Sequence, residues 1–264
     1  MVFSYYPGCT LKNKAKNLDL YGRKSAEKLG IELKELDDWQ CCGGVYPQST
    51  DEVAVRLSAV RALKNASDRE TSLVTLCSAC HQVLKRANED IQTDENFRNK
   101  ANAYSEFEYN GETEVIHYLE MLRDKIGFDE LKKAVVNPLK GRKIGAYYGC
   151  LLLRPNKVMQ FDNPENPKII EDFIKALGAE PVIYPYRNEC CGGYTAANKG
   201  NDTKGLCGNI VNSAVAHGAE ELITACPLCL YNLEKNNGGN VPVKYFTELL
   251  AEALGIKEEC DNEL

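Results

Sequence analysis

The chain has 264 residues, 44% of them hydrophobic and 27% charged, with a formal net charge of -6. This is the composition of a soluble globular protein, long enough for one large domain or two of ordinary size. The acidic balance leaves no basic patch for nucleic acid, and no apolar run reaches the length of a membrane span.

Residues 2–6 predict a short strand, closed by the Pro7-Gly8 turn that carries Cys9. A helical stretch follows over about 13–29, then an extended segment over 31–36 leading to the loop Cys41-Cys42-Gly43-Gly44. The next helix spans about 51–67, and its Asp51-Glu52 start suits the positive end of the helix dipole. Residues 72–76 predict a strand running straight into Cys77. The polar stretch 88–113 resembles a helix followed by a loop, and 137–141 marks the boundary between halves. Beyond it the order recurs: strand 143–148, Cys150, helix 167–177, strand 181–184, Cys190-Cys191, a helix, strand 222–225 and Cys226. Alternating strands and helices predict an α/β fold with parallel sheets and right-handed crossovers.

Ten of the twelve cysteines form one pattern written twice, C-x31-C-C-x34-C-x2-C and C-x39-C-C-x34-C-x2-C. The first copy is Cys9, Cys41, Cys42, Cys77 and Cys80; the second is Cys150, Cys190, Cys191, Cys226 and Cys229. The flanks repeat as well. Tyr6-Pro7-Gly8-Cys9 answers Tyr148-Gly149-Cys150, and His117-Tyr118-Leu119-Glu120 answers Tyr245-Phe246-Thr247-Glu248. An internal duplication therefore predicts two similar halves, 1–138 and 139–264, each long enough for its own core.

Each cysteine group falls just beyond the C-terminal end of a predicted strand, where open α/β sheets build ligand sites. Helices beginning after Cys9 and Cys80 would aim N-terminal amides at the same edge. Adjacent cysteines do not readily bond to each other, and C-x-x-C brings two sulfurs to one point. Five converging thiolates suit a metal or iron–sulfur centre better than a disulfide framework, and a zinc site using four of the five is the alternative. No secretory signal is visible, so a reducing cytoplasm is the expectation.

Several features are weaker. Cys77-Ser78-Ala79-Cys80-His81 matches the c-type haem attachment pattern, but its repeat counterpart lacks the histidine. Cys226-Pro227-Leu228-Cys229 alone would read as a thioredoxin-like redox pair, against which the adjacent cysteines argue. Cys207 and Cys260 lie outside the repeat; Cys207 is expected to be a packing residue on a helix. His117 and His217 are expected on helices, and Trp39 as a shield or a core residue. Lys12, Arg154, Lys157 and Arg187 flank the cysteine loops and are candidates for holding an anionic substrate. No dinucleotide fingerprint, P-loop or ferredoxin-type cysteine run is present, so electrons must come from another protein.

From Tyr6-Pro7-Gly8-Cys9 to Cys226-Pro227-Leu228-Cys229 the chain resembles the CCG-domain family, in the form taken by the B-type subunit of heterodisulfide reductase. The resemblance implies two duplicated Rossmann-like halves related by a pseudo-twofold. It implies a noncubane [4Fe-4S] cluster on each cysteine set, at the C-terminal strand ends. It further implies a catalytic subunit that cleaves a heterodisulfide between the two clusters; in a methanogen the substrate would be the mixed disulfide of coenzyme M and coenzyme B. Expected partners are a small subunit with cubane iron–sulfur clusters and a flavin-containing, electron-bifurcating subunit. The substrate class is a small-molecule disulfide or a thiol protein. The alternative is a non-catalytic electron-transfer or zinc-stabilised assembly subunit of a larger redox complex.

Overall fold

The computed structural model describes residues 1–44, 53–193, 202–238 and 241–257. Strands β1 (Val2–Tyr5), β2 (Glu32–Glu35), β3 (Leu73–Thr75) and β4 (Val115–His117) form a parallel sheet in the order β2-β1-β3-β4. Strands β5 (Lys143–Tyr147), β6 (Glu180–Val182), β7 (Glu221–Thr224) and β8 (Val243–Tyr245) form a second in the order β6-β5-β7-β8. The predicted α/β duplication is thus borne out down to the strand order. Central β3 and β7 are buried at every position, as parallel strands covered on both faces must be.

In the first half the helices are α1 (Cys9–Asn13), α2 (Lys16–Lys28), α3 (Leu57–Ser67), α4 (Ser78–Thr93), α5 (Glu95–Ser105), α6 (Tyr118–Met121) and α7 (Phe128–Ala134). The second half has α8 (Asn156–Met159), α9 (Ile169–Ala176), α10 (Thr203–Ala216), α11 (Pro227–Asn236) and α12 (Phe246–Ala253).

Four expectations are corrected. The helix expected over 13–29 is α2, which starts only at Lys16 because Ala15 at φ -132, ψ 50 leaves the helical region, and a separate short helix, α1, opens at Cys9 before it. The helix preceding the 88–113 stretch starts already at Ser78, so Cys80 lies inside its first turn and not before it. That helix ends at Thr93, and Asp94 caps α5 by accepting the Phe97 N–H at 3.0 Å. Each sheet also has a fourth strand that the sequence reading lacks. Three residues show no alternation to read, and His117 and Tyr245 end the strands and at once cap α6 and α12 in boxes closed by Glu120 and Glu248. The expected helix start at Asp51-Glu52 lies outside the described residues, as does Cys260.

The halves do not keep separate cores. One buried cluster runs from Phe3, Leu73 and Val83 through Ile144, Phe173 and Phe246 to Leu254. A smaller cluster surrounds the second cysteine set, with Tyr147, Tyr184, Cys207, Ile210 and Leu222. Helix α12 packs on α2, where the Thr247 hydroxyl donates to Leu18 O at 2.9 Å and the Lys28 ammonium to Leu254 O. The N–H groups of Val136 and Asn137 both donate to Ala253 O, at 3.0 and 2.9 Å, so the segment between the halves is tied to the end of α12.

Candidate metal centres

Three strand ends deliver each cysteine set. Cys9 opens α1 after β1, Cys41 and Cys42 follow β2, and Cys77 caps α4 after β3 with Cys80 in that helix's first turn. In the second half Cys150 follows β5, Cys190 and Cys191 follow β6, and Cys226 caps α11 after β7 with Cys229 in its first turn. The sulfurs meet in matching pairs: Cys41–Cys9 at 3.4 Å and Cys42–Cys80 at 3.5 Å, against Cys150–Cys190 at 3.7 Å and Cys191–Cys229 at 3.5 Å. All ten are free thiols, far beyond the ~2.05 Å of a disulfide. Cys9, Cys41 and Cys190 are exposed, whereas Cys42, Cys77, Cys80, Cys191, Cys226 and Cys229 are buried. Each set therefore has a closed floor and an open rim.

Within each set the thiols polarise one another. The Cys42 thiol and the amides of Gly43 and Gly44 pull Cys41 down to about 5. Cys150 and the amides of Gly192 and Gly193 pull Cys190 down to about 6, the Gly192 N–H lying 3.3 Å from its sulfur. Cys229 and then Asn232, whose amide is 3.6 Å away, bring Cys191 to about 7. Their thiol neighbours shift upward in response: Cys42, Cys80, Cys150 and Cys229 all lie above the ordinary thiol range. A metal bound here would take the place of these shared protons, since ligand sulfurs must be thiolates.

The donor set is all sulfur, which selects zinc or iron–sulfur chemistry. Among the described residues, no three cysteine, histidine or acidic groups converge tightly enough for a single ion. The sulfurs link in series, Cys9–Cys41 and Cys42–Cys80 in the first set and Cys150–Cys190 and Cys191–Cys229 in the second, a donor set that could serve one zinc or an iron–sulfur centre.

Two residues missed by sequence reasoning line these sets. The Tyr6 hydroxyl donates to Gln40 O, just before Cys41, and the Tyr147 hydroxyl to Glu189 O at 2.8 Å, just before Cys190. Both phenols are fully buried and pushed upward, by burial first and by the neighbouring thiols second. Tyr147, not Tyr148, is thus the counterpart of Tyr6; each stands three residues before its cysteine, and that equal offset was the available signal. Tyr148 instead donates to Glu171.

Most of the cations flanking the cysteine loops are engaged in the fold. Lys12 pairs with Glu35 at 2.9 Å, Arg187 with Glu171 at 3.1 Å, and Arg154 donates to Asn188 O at 2.8 Å. Lys157 lines a polar cleft of about 610 Å³ with Lys85, Glu120 and Arg123. Trp39 donates to Glu35 at 2.9 Å and packs edge-on against Tyr6 at 5.4 Å. His81 is fully buried with Nε2 3.1 Å from Glu120. His117 ends β4 in the core, and His217 ends α10. Cys207 is buried on α10, with its thiol 3.6 Å from Cys191 O.

Comparison with known proteins follows these boundaries. The cysteine-rich domain family CCG matches residues 3–85 and 144–234. The 8-methylmenaquinol:fumarate reductase membrane anchor subunit of Wolinella succinogenes is 32% identical over 270 residues, 96% of this chain and 92% of that one. The B subunit of the ferredoxin:CoB-CoM heterodisulfide reductase of Methanosarcina mazei is 24% identical, covering 97% and 90%. A protein of Archaeoglobus profundus, described as like the B subunit of heterodisulfide reductase, is 26% identical, covering 97% and 92%. A crystal structure of a hypothetical Helicobacter pylori protein matches with a TM-score of 0.75 at 12% identity, over 97% of this chain but 49% of that one, and so supports the fold alone.

Proposed function

The chain belongs to the CCG cysteine-rich domain family, and from that premise we propose that it is an iron–sulfur redox subunit of the kind found as the B subunit of heterodisulfide reductase. In this reading Cys9, Cys41, Cys42, Cys77 and Cys80 hold one noncubane [4Fe-4S] cluster, and Cys150, Cys190, Cys191, Cys226 and Cys229 hold the other. The division at 138/139 is then one of repeat units sharing a core, not of independently folding domains. The observation that carries the proposal is the sulfur pairing, made by the same repeat positions in both halves.

When bound, the clusters supply one-electron chemistry at each half. Disulfide cleavage needs two electrons and two protons to turn R–S–S–R′ into RSH and R′SH, which matches two centres in one chain. The chain's own contribution is to fix ten thiolates. Tyr6 and Tyr147 close the buried side of each set, and Cys9, Cys41 and Cys190 leave the rim open to a substrate or partner. Electrons would arrive from a cubane-cluster subunit fed by a flavin-containing subunit, in the cytoplasm.

A second reading has its own support in the 32% identity to the fumarate reductase subunit. There the chain would pass electrons from a quinol to a fumarate-reducing partner and cleave no disulfide. No helix among the described residues is long and apolar enough to cross a membrane.

The test begins with iron and acid-labile sulfide analysis of anaerobically purified protein, for which about eight irons are expected if both sites are of the four-iron type. About two zinc ions without sulfide would favour the structural alternative. Disulfide reduction by a low-potential viologen donor is then compared with reduction of the centres by a menaquinol analogue. Turnover of the disulfide supports the first reading; reduction by quinol with no disulfide turnover supports the second.

A further inference from the structure

Two backbone carbonyls lie between the cysteine sets. Leu76 O belongs to the peptide whose nitrogen is that of Cys77, and Ala225 O to the peptide whose nitrogen is that of Cys226. Each is held by the opposite half. Ala225 O accepts the Ser78 N–H at 3.1 Å and the Ser78 hydroxyl at 2.6 Å. Leu76 O accepts the Tyr245 hydroxyl at 2.6 Å, and the same hydroxyl stands 3.1 Å from Ala225 O. His117, the repeat counterpart of Tyr245, reaches Leu76 O through Nε2 at 2.9 Å. Its Nδ1 accepts the Leu119 N–H, which leaves the ring proton on Nε2. Ser78, His117 and Tyr245 are all fully buried.

The duplication breaks at one atom here. The counterpart of the Ser78 N–H would be an N–H at residue 227 aimed at Leu76 O, but Pro227 has none. The Tyr245 hydroxyl serves that carbonyl instead. A buried carbonyl needs a partner, so the position is conditioned on both halves at once.

We propose that this carbonyl node is the route by which an electron passes between the two centres. The Ser78 N–H to Ala225 O bond is its bridging link, and Tyr245 and His117 are positioning residues that hold the two carbonyls. The proposal rests on the two-cluster reading above. From the Cys77 sulfur the path follows Cβ, Cα and the carbonyl carbon to the Ser78 nitrogen. It crosses one hydrogen bond of 3.1 Å, then follows the Ala225 carbonyl into Cys226 and its sulfur. That is one non-covalent gap in a buried interior, where hydrogen bonds are stronger than in water. One electron leaves the reduced centre of one half and arrives on the oxidised centre of the other; no bond breaks and no proton moves. The external donor supplies that electron.

Ser78→Pro removes the N–H and the hydroxyl together, and Pro227 shows that the site after this N-cap accepts proline. Ser78→Ala removes the hydroxyl alone. Both variants are purified anaerobically and their iron and sulfide counted. A light-driven pulse then reduces one centre, and re-equilibration between the centres is followed by rapid-freeze EPR. The expected result is wild-type exchange in Ser78→Ala and slowed exchange in Ser78→Pro with both centres present. Exchange at the wild-type rate in fully loaded Ser78→Pro overturns the proposal. If Ser78→Pro loses iron, Tyr245→Phe carries the test, because Ala225 O, the acceptor of the bridging link, then loses the hydroxyl that stands 3.1 Å from it. Slowed exchange is expected there too, and an unchanged rate overturns the proposal. A wild-type protein with fewer than two centres overturns the two-cluster reading itself, and the metal count reveals this before any exchange is measured.

Discussion

A methyl group added to Gly8 would stand 2.7 Å from the sulfur of Cys80, a separation that Cβ atoms do not tolerate. Gly8 also has φ +77 and ψ 161, an extended positive-φ conformation that is essentially glycine-only and costs other residues roughly 1–3 kcal/mol. Its repeat partner Gly149 has φ +64, and a methyl there would lie 3.3 Å from Cys229. Backbone must come this close for five thiols to share one site.

Gly8→Ala is therefore expected to displace Cys80 and lose iron from the first set, and Gly149→Ala to lose less from the second. Iron and sulfide per chain, measured on both variants, check this. Full iron in Gly8→Ala would show that Cys80 is not a ligand.

Cys42→Ser and Cys191→Ser are expected to lower iron content, since each removes a sulfur paired at 3.5 Å with its set. Cys207→Ser is expected to keep its iron, because its thiol contacts the Cys191 carbonyl and not a ligand sulfur. The same is expected for Cys260→Ser, which lies outside the repeat. Iron lost from Cys207→Ser would contradict the ligand set.

In metal-free protein, brief alkylation near pH 7 should label Cys41 and Cys190 first. Both are exposed, and their thiols are lowered to about 5 and about 6, so they are largely thiolate. Cys207, buried and pushed up by burial to about 12, should react only after unfolding. Peptide mass spectrometry ranks the three, and early labelling of Cys207 would mean that α10 does not bury it.

Acid should destabilise the metal-free fold, in part through His117. Burial, and then the nearby His81 ring at 5.5 Å, lower His117 to about 3. Between its ordinary value of 6.5 and about 3, the unfolded chain binds a proton that the folded chain refuses, so stability falls as pH falls through that window. Glu120 acts in the same direction lower down. Burial, the largest single effect, would raise it, but His81, Lys85 and the His117 N–H together outweigh burial and bring it to about 2, so its contribution is lost as pH falls from 4.5 towards 2. Urea unfolding at pH 7 and pH 5 should show a loss approaching about 1.4 kcal/mol per pH unit for one such histidine. His117→Gln should flatten that slope, and an unchanged slope would place the titration elsewhere.

What the sequence determined by itself was local chemistry and its repetition. Ten thiols at matched spacings after predicted strands located both sets and the α/β duplication, because ligand spacing and strand-to-loop punctuation are properties of short segments. β4 and β8 escaped notice because three residues carry no period. Lys12 and Arg187 read as free cations because their partners, Glu35 and Glu171, are distant in sequence or belong to another element. Only the tertiary structure decided which sulfur meets which, that Tyr147 mirrors Tyr6, that the halves share a core, and that Leu76 and Ala225 are held across the repeat by Tyr245 and Ser78. Those relations depend on where two chain segments far apart in sequence are packed together, and burial then forces each polar group to find its partner in the other half.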